Sequence, residues 1–242
     1  MVTFEAVCSV DDEQLKKNRE YSLSLELPTI GSYEAKGPLA IVGGGHSVAM
    51  YDYTLKSWPG TIWAVNGAYK WCKDHGINAV FFSFDPNPVV ANMVQNADRA
   101  ILSRVSAIET YQAMAGKPVW IGDTKDGGCT SVGAAIATSV ACGFQDITLF
   151  GCEASMQPDS SHIYGHLLSD DDLVVYCNGM HFYTTARMFI GCVEQRNMIK
   201  VCPFVKELSG GLLRAMMEAT VEPKIVGASP SMTEKFNIAA EL

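Results

Sequence analysis

Short, unbroken runs of apolar residues recur along the chain, and segments with a helical pattern separate them. The runs occupy residues 39–42, 61–65, 79–84, 100–102, 118–121 and 147–150. Apolar runs of this length that do not alternate with polar residues are typical of parallel strands buried on both faces. Helical patterns lie between most of them, at residues 47–57, 68–75, 89–97 and 132–142. This alternation predicts an α/β fold, a mainly parallel sheet with helices on both faces.

The two ends of the chain differ from this middle part. Residues 1–36 are polar and weakly patterned, and we expect an N-terminal arm there. Residues 37–242 are expected to form a single domain with a C-terminal helical extension, since a chain of this length can build one sizeable core. After Glu153 we expect a polar loop, then a strand at residues 173–176 and a helix at residues 184–198.

Composition and charge exclude several classes of protein. The formal net charge is -8, with 18 basic against 26 acidic residues and no cluster of Lys or Arg. Nucleic-acid binding is therefore not expected, because affinity for a phosphate backbone needs a basic face. The sequence shows no signal peptide, and no apolar run reaches the roughly 20 residues of a membrane span. We expect a cytoplasmic protein, with its eight cysteines as free thiols because they form no C-x-x-C pair.

A glycine-rich turn closes the first predicted strand. It reads Gly43-Gly44-Gly45-His46-Ser47, and in a parallel sheet ligands bind at this end of the strands. Glycines let a ligand approach the backbone, and Ser47 can cap the helix that follows. The turn is not the dinucleotide fingerprint, because Val48 takes the third glycine position and Asn66 replaces the acid that would bind an NAD ribose. A tight turn without a ligand is the alternative.

Polar residues also follow the second and third predicted strands. Asn66 can bind a base or a ribose, because its amide carries both a donor and an acceptor. Asp85 could bind a metal–phosphate group or act on a substrate hydroxyl. Since Pro86 follows it, Asp85 could instead be an ordinary turn residue.

The most informative segment is the glycine-rich turn that precedes the helical pattern at residues 132–142. Gly128 lies in this turn, and Thr130 and Ser131 end it. The first backbone N–H groups of the helix, together with these two hydroxyls, can bind an anion without a Lys. We therefore expect a phosphate to bind here.

A polar loop with two histidines follows the strand that ends at Gly151 and Glu153. His162 is the candidate acid or base near neutral pH, whereas His166 is expected to be a surface residue. The two histidines are four residues apart, but no Glu follows His162 to complete a metalloprotease motif. We therefore expect no zinc site at these histidines and assign no metal ligand, and Mg²⁺ stays possible only for the diphosphotransferase alternative given below.

Taken in chain order, these motifs resemble the MptE-like Rossmann family. They are Gly-Gly-Gly-His-Ser, Ala-Val-Asn-Gly, Ser-Phe-Asp-Pro, Gly-Gly-Cys-Thr-Ser-Val and Leu-Phe-Gly-Cys-Glu, within residues 39–198. Archaeal hydroxymethyl-dihydropterin pyrophosphokinases and the motility accessory factors that glycosylate flagellin share that domain. The segment 130–151 is also similar to bacterial sialyltransferases that use a CMP-activated sugar. The resemblance implies a Rossmann-like α/β domain that binds a nucleotide.

The resemblance also implies roles for single residues. His46 stands where the family has Pro, and Glu153 stands where it usually has Asp. Asp85 and His162 take the places of the family's acid and histidine, so they are the catalytic candidates. The implied nucleotide-binding residues are Gly43, Gly44, Gly45, Ser47, Asn66, Gly128, Thr130, Ser131, Glu153 and Tyr183.

These observations favour a transferase that uses a nucleotide-activated donor, with a nucleotide-sugar glycosyltransferase first. Thr130 and Ser131 would stabilise the leaving phosphate, and His162 would deprotonate the acceptor hydroxyl. One alternative is an ATP-dependent diphosphotransferase of the pterin pyrophosphokinase type, in which Asp85 and Glu153 would hold Mg²⁺. Another is a nucleotide-binding module without catalysis. The expected partner is a nucleotide or nucleotide sugar, and a homo-oligomer is left open.

Overall fold

The computed structural model describes residues 10–35, 37–122, 130–156 and 172–228. Seven strands form an all-parallel sheet in the order β5-β4-β3-β2-β1-β6-β9. They are β1 (Leu39–Val42), β2 (Thr61–Val65), β3 (Val80–Ser83), β4 (Ala100–Ser103), β5 (Val119–Gly122), β6 (Ile147–Phe150) and β9 (Val205–Glu207). The predicted Rossmann-like α/β class is confirmed.

Helices cover both faces of this sheet. They are α1 (Asp12–Ser24), α2 (Asp52–Lys56), α3 (Ala68–Asp74), α4 (Val90–Val94), α5 (Ile108–Ala113), α6 (Ser131–Ala141), α7 (Ala186–Val201) and α8 (Gly211–Glu218), with 3₁₀ helices at Ile30–Ser32 and His46–Tyr51. Within the described parts of the chain, no helix is both long and apolar enough to cross a membrane.

Successive residues of a strand point to opposite faces, and this divides the core into two clusters. Ala40 and Val42 of β1 pack with residues of α2, α3, α4 and α5. Leu39 and Ile41 pack on the other face with residues of α6, α7 and α8. The apolar runs are unbroken because both faces are covered.

The strand order reverses beside β1. From β1 the chain builds β2 to β5 in one direction, and β6 then pairs with the free side of β1. In doubly wound sheets ligands bind where this reversal occurs, at the carboxyl ends of the two strands. The turns after β1 and β6 therefore flank the switch point of this fold.

The C-terminal part contains a second, antiparallel sheet. Its strands are β7 (Asp172–Cys177), β8 (Met180–Thr185) and β10 (Lys224–Ala228), in the order β10-β7-β8. Leu173, Val175 and Cys177 of β7 are buried in the same cluster as α7 and α8. The extension is thus not purely helical, since β8 occupies residues that precede and overlap the start of the expected helix. β8 was not predicted from the sequence, because only one of its six residues is buried and no apolar run marks it.

Residues 12–24 form a helix, although an irregular arm was expected. The helix is polar even where it is buried: Asn18 and Ser22 are its buried side chains. The Asn18 amide donates to the carbonyl of Val105 at 2.9 Å, and the Ser22 hydroxyl donates to that of Arg104 at 2.9 Å. Hydrogen bonds attach α1 to the domain, so no apolar stripe marks it in the sequence. A domain boundary at residue 36 stays a prediction.

Cys72, Cys142, Cys152, Cys177, Cys192 and Cys202 are free thiols. Burial raises the pKa of Cys72 from 9.0 to about 12. Burial also raises the pKa of Cys152, with a smaller contribution from the charge of Glu153. Both thiols therefore stay protonated at neutral pH and are poor nucleophiles.

We expect Cys72 to make folding stability fall at alkaline pH. The unfolded thiol loses its proton above pH 9.0, whereas the folded thiol keeps it up to about 12. The stability contribution is therefore complete below pH 9.0 and is lost above it, by at most about 1.4 kcal/mol per pH unit. Urea unfolding of the native protein and of Cys72→Ala measures this. The free-energy difference between them should shrink as the pH rises, and a constant difference would contradict the assignment.

Candidate ligand site at the carboxyl edge of the sheet

Most candidate residues within the described structure gather at one edge of the parallel sheet, whereas Tyr183 lies on the small antiparallel sheet. The turns after β1, β2, β3 and β6 meet the start of α6 at that edge of the parallel sheet. Two groups of contacts are formed. We call Gly43, Gly45, Ser47 and Glu153 the switch-point cluster, and Asn66, Thr130, Ser131 and Gln195 the amide cluster.

In the switch-point cluster, the glycines allow two backbone turns to touch. Gly43 N–H donates to the carbonyl of Phe150 at 2.7 Å, and Gly45 N–H donates to that of Gly151 at 2.8 Å. A Cβ at Gly43 would overlap the Gly151 carbonyl oxygen. Gly44 lies between them and is partly exposed. Close packing of the turns after β1 and β6 thus requires glycine, with or without a ligand.

The carboxylate of Glu153 fills the space at the start of the 3₁₀ helix. Its side chain is 6% exposed. One oxygen accepts from the Ser47 N–H at 2.9 Å and the other from the Ser47 hydroxyl at 2.6 Å. A Cβ on Gly45 would overlap this carboxylate. Glu153 therefore caps the helix from another segment, and its negative charge opposes an anion at this point.

In the amide cluster, Asn66 and Ser131 come together as expected from the strand ends. The Asn66 amide nitrogen lies 3.4 Å from the Ser131 hydroxyl, and the Phe84 N–H lies 3.4 Å from the same oxygen. Asn66 has a φ of 51°, a left-handed conformation that Asn tolerates better than most residues. Its N–H donates to the carbonyl of Phe82 at 3.0 Å, which fixes the turn.

Thr130 connects the start of α6 to α7. Its hydroxyl accepts from the Gly133 N–H at 3.1 Å and so caps α6. The Gln195 amide nitrogen lies 3.4 Å from that hydroxyl. A Cβ at Gly191 would overlap the Thr130 side chain, so glycine lets α7 approach closely. Gln195 was not expected at the site, because a glutamine within a helix carries no local signal of its contacts.

Both amides of this cluster keep unused hydrogen-bonding capacity. Among the described residues, the side-chain oxygens of Asn66 and Gln195 have no hydrogen-bond partner, and both atoms are buried. Gln195 as a whole is only 4% exposed. Each amide group can also adopt the flipped orientation, in which its nitrogen and oxygen exchange places. If the Thr130 and Ser131 hydroxyls donate to the amide oxygens, the two NH₂ groups are unsatisfied instead. In either orientation, two polar groups beside the first turn of α6 lack a partner within the part of the chain that the structure describes, which is uncommon in folded proteins.

Asp85 and Tyr183 have other neighbours. One Asp85 oxygen accepts from the Asn87 N–H at 2.9 Å, and the Asp85 N–H donates to Ser83 at 3.2 Å, so Asp85 stabilises a turn. The Tyr183 side chain is 51% exposed on the small sheet, and its carbonyl accepts from the Met156 N–H at 2.8 Å. The expectations for Gly128, His162 and His166 fall outside the described residues.

The candidate Mg²⁺ ligands do not fit a metal. Both Glu153 oxygens already accept hydrogen bonds from Ser47, and one Asp85 oxygen accepts from Asn87. Among the described residues, no group of three or more His, Cys, Asp or Glu side chains could hold a metal ion.

Comparisons with known proteins give no family. No family model matches the sequence, and no curated protein matches it significantly. Among solved structures, "AtPrR2 in apo form" is similar with a TM-score of 0.25 and 10% sequence identity, covering 72% of this chain and 48% of that chain. The chain thus spans about half the length of that structure. A likeness at this level carries no argument about function.

Proposed function

We propose that the amide cluster binds the phosphate of a nucleotide-activated donor, and that the protein is a transferase, with glycosyl transfer as the favoured reaction. The observation that carries this proposal is the pair of amides beside α6 that find no complete set of partners among residues 10–35, 37–122, 130–156 and 172–228. They flank the N-terminus of an eleven-residue helix that begins with two hydroxyl residues. A polar ligand would complete their hydrogen bonds.

An anionic oxygen suits this position. The first N–H groups of a helix have no intrahelical acceptor, and the helix dipole favours negative charge there. The Thr130 and Ser131 hydroxyls can donate to the amide oxygens, which turns the NH₂ groups of Asn66 and Gln195 towards a phosphate. Several donors then share the charge of the leaving nucleotide, as electrostatic catalysis requires. No Lys or Arg is needed for this.

The remaining chemical step is deprotonation of the acceptor hydroxyl. We assign it to His162, on the sequence argument alone: an imidazole can accept a proton near neutral pH. Asp85 is the second candidate, because it follows β3 at the same edge of the sheet.

Diphosphate transfer from ATP is less well supported. It needs a divalent cation to bridge the phosphates. Of the acids that would hold it, Glu153 has both oxygens hydrogen-bonded to Ser47, and Asp85 has one oxygen hydrogen-bonded to the Asn87 N–H. The geometry therefore favours a transfer that does not depend on a protein-held metal.

Ser131→Ala is expected to weaken nucleotide binding about tenfold or more, because the Asn66 NH₂ group loses the hydroxyl that turns it towards the phosphate, and a hydrogen bond to a charged group contributes roughly 1.5–3 kcal/mol. Titration calorimetry with CMP, UDP, GDP, ATP and their sugar conjugates, with and without Mg²⁺, measures the affinities. Ser139→Ala is the matched control: it lies in the same helix, and its hydroxyl donates to the Ile136 carbonyl at 2.7 Å. Its affinity should stay unchanged.

Two results would change the proposal. A folded Ser131→Ala variant with native affinity would mean that the nucleotide binds elsewhere. If the protein binds a nucleotide tightly but neither transfers a sugar to any acceptor nor hydrolyses the donor, it is a binding module. Turnover that requires Mg²⁺ and consumes ATP would favour the diphosphotransferase.

A further inference from the structure

Three aromatic rings form a parallel stack that ends at the carboxyl edge of the sheet. Trp63 and Phe82 stack with centroids 5.4 Å apart and planes 18° apart. Phe82 and Phe84 stack at 4.9 Å and 13°. Trp63 and Phe82 are fully buried, whereas Phe84 is partly exposed. Phe84 lies just beyond the last residue of β3, so the outermost ring of the stack borders the candidate site.

Contacts on two sides hold the Phe84 ring in place. Its backbone N–H lies 3.4 Å from the Ser131 hydroxyl, so the residue adjoins the first turn of α6. The ring edge lies over Gly122 at the end of β5, where a Cβ would overlap Cζ and lie 2.8 Å from Cε1. Glycine at this position therefore lets the ring extend across the end of the sheet.

This arrangement differs from that of the aromatic residues that only fill the core. The rings of Phe144 and Trp63 meet edge to face, with centroids 5.6 Å apart, and Phe144 is almost completely buried. Phe84 has one face against Phe82 and is partly exposed. Its N–H and the Asn66 amide nitrogen both lie 3.4 Å from the Ser131 hydroxyl, so the two residues border the same group. An accessible aromatic ring next to an amide donor and acceptor provides the two contacts that a nucleobase uses in proteins, stacking and edge hydrogen bonds.

We propose that Phe84 is the stacking surface for the base of the bound nucleotide, with its phosphate at α6 and its ribose between them. This rests on the proposed function, because it assumes that the phosphate binds at Ser131. The chemistry required of the ligand is a planar heterocycle joined to a phosphate. Since stacking accepts every base, Phe84 supplies affinity, and the Asn66 amide is the group that can discriminate between bases or contact the ribose.

The test compares a nucleotide with inorganic pyrophosphate, which has no base. Phe84→Leu should weaken binding of the tightest nucleotide roughly tenfold or more and leave pyrophosphate affinity unchanged. Phe84→Tyr, which keeps the ring, should bind the nucleotide like the native protein. If Phe84→Leu does not fold, Phe84→Met is the second non-aromatic variant, since its flexible side chain fills irregular space.

Phe144→Leu is the matched control, because it makes the same change in a ring of the same core cluster. It should lower thermal stability without changing nucleotide affinity. A Phe84→Leu variant with native nucleotide affinity would overturn the stacking proposal and leave the phosphate site intact. If pyrophosphate binds the native protein as tightly as every nucleotide does, the base contributes no affinity, and the stacking proposal is likewise overturned. If neither pyrophosphate nor any nucleotide binds the native protein, both proposals are overturned.

Discussion

Replacing Glu153 with alanine is expected to lower the free energy of unfolding by about 3 kcal/mol, through a lost buried acceptor and a new cavity. The carboxylate is 6% exposed and accepts both the N–H and the hydroxyl of Ser47. Without it, these two donors at the helix start lose their partner. The negative charge also stabilises the N-terminal end of the helix. In a chain of this size the melting temperature should fall by about 6–12 °C.

Two further variants separate the contributions. Glu153→Gln keeps the shape and an acceptor for the Ser47 N–H, so it should cost less than half as much as Glu153→Ala. Glu20→Ala is the surface control: its side chain is 65% exposed and 4.0 Å from Lys16, and such pairs contribute about 0–1 kcal/mol. If Glu153→Ala is as stable as the native protein but loses nucleotide affinity, Glu153 contacts the ligand instead, as the family resemblance implies.

Six of the seven parallel strands could be predicted, because each is marked by an apolar run in the sequence. β9 was not predicted, since only one of its three residues is buried. β1, β2 and β6 are buried on both faces, so each is a continuous apolar run whose ends the sequence defines closely. Other elements that were not predicted also lack an apolar run or a clear helical pattern in the sequence. Only one of the six β8 residues is buried, and α8 begins at Gly211 directly after Gly210. Both glycines have a positive φ, and the pair resembles a loop in the sequence.

The site could be predicted only in part. Asn66 follows β2 and Ser131 begins α6. Because the carboxyl ends of parallel strands and the starts of the helices lie at the same edge of the sheet, their proximity could be predicted. Gln195 joins them only because α7 packs across α6 at Gly191, which depends on the whole fold.

The hydrogen bonds between Ser47 and Glu153 are a second contact that the sequence did not predict. Both residues were expected near a ligand, and the structure pairs them with each other. Their segments meet because β6 lies beside β1, a sheet order that apolar runs do not reveal. Residue type and strand-end position thus indicate where polar groups gather, whereas their partners depend on strand order.

Gly45→Ala is expected to destabilise the protein by about 3 kcal/mol, because the added Cβ overlaps the Glu153 carboxylate and overpacking typically costs that much. In the Glu153→Ala background the obstacle is gone, and the same change should cost less than about 1 kcal/mol. The resulting coupling of roughly 2 kcal/mol is within the range for contacting residues. Urea unfolding of the native protein, both single variants and the double variant measures it.

Two other glycines make this test specific. Gly43→Ala should be costly in both backgrounds, because its Cβ would meet the carbonyl oxygen of Gly151 rather than the Glu153 side chain. Gly31→Ala should be nearly neutral, since its Cβ would have only the Thr29 hydroxyl oxygen within contact distance, at 3.9 Å. Additive effects of Gly45→Ala and Glu153→Ala would show that the carboxylate does not lie over Gly45 in solution. Strong coupling at Gly45, with none at Gly43, would place the Glu153 carboxylate at the helix start, where it disfavours an anion, and would leave the start of α6 as the phosphate position.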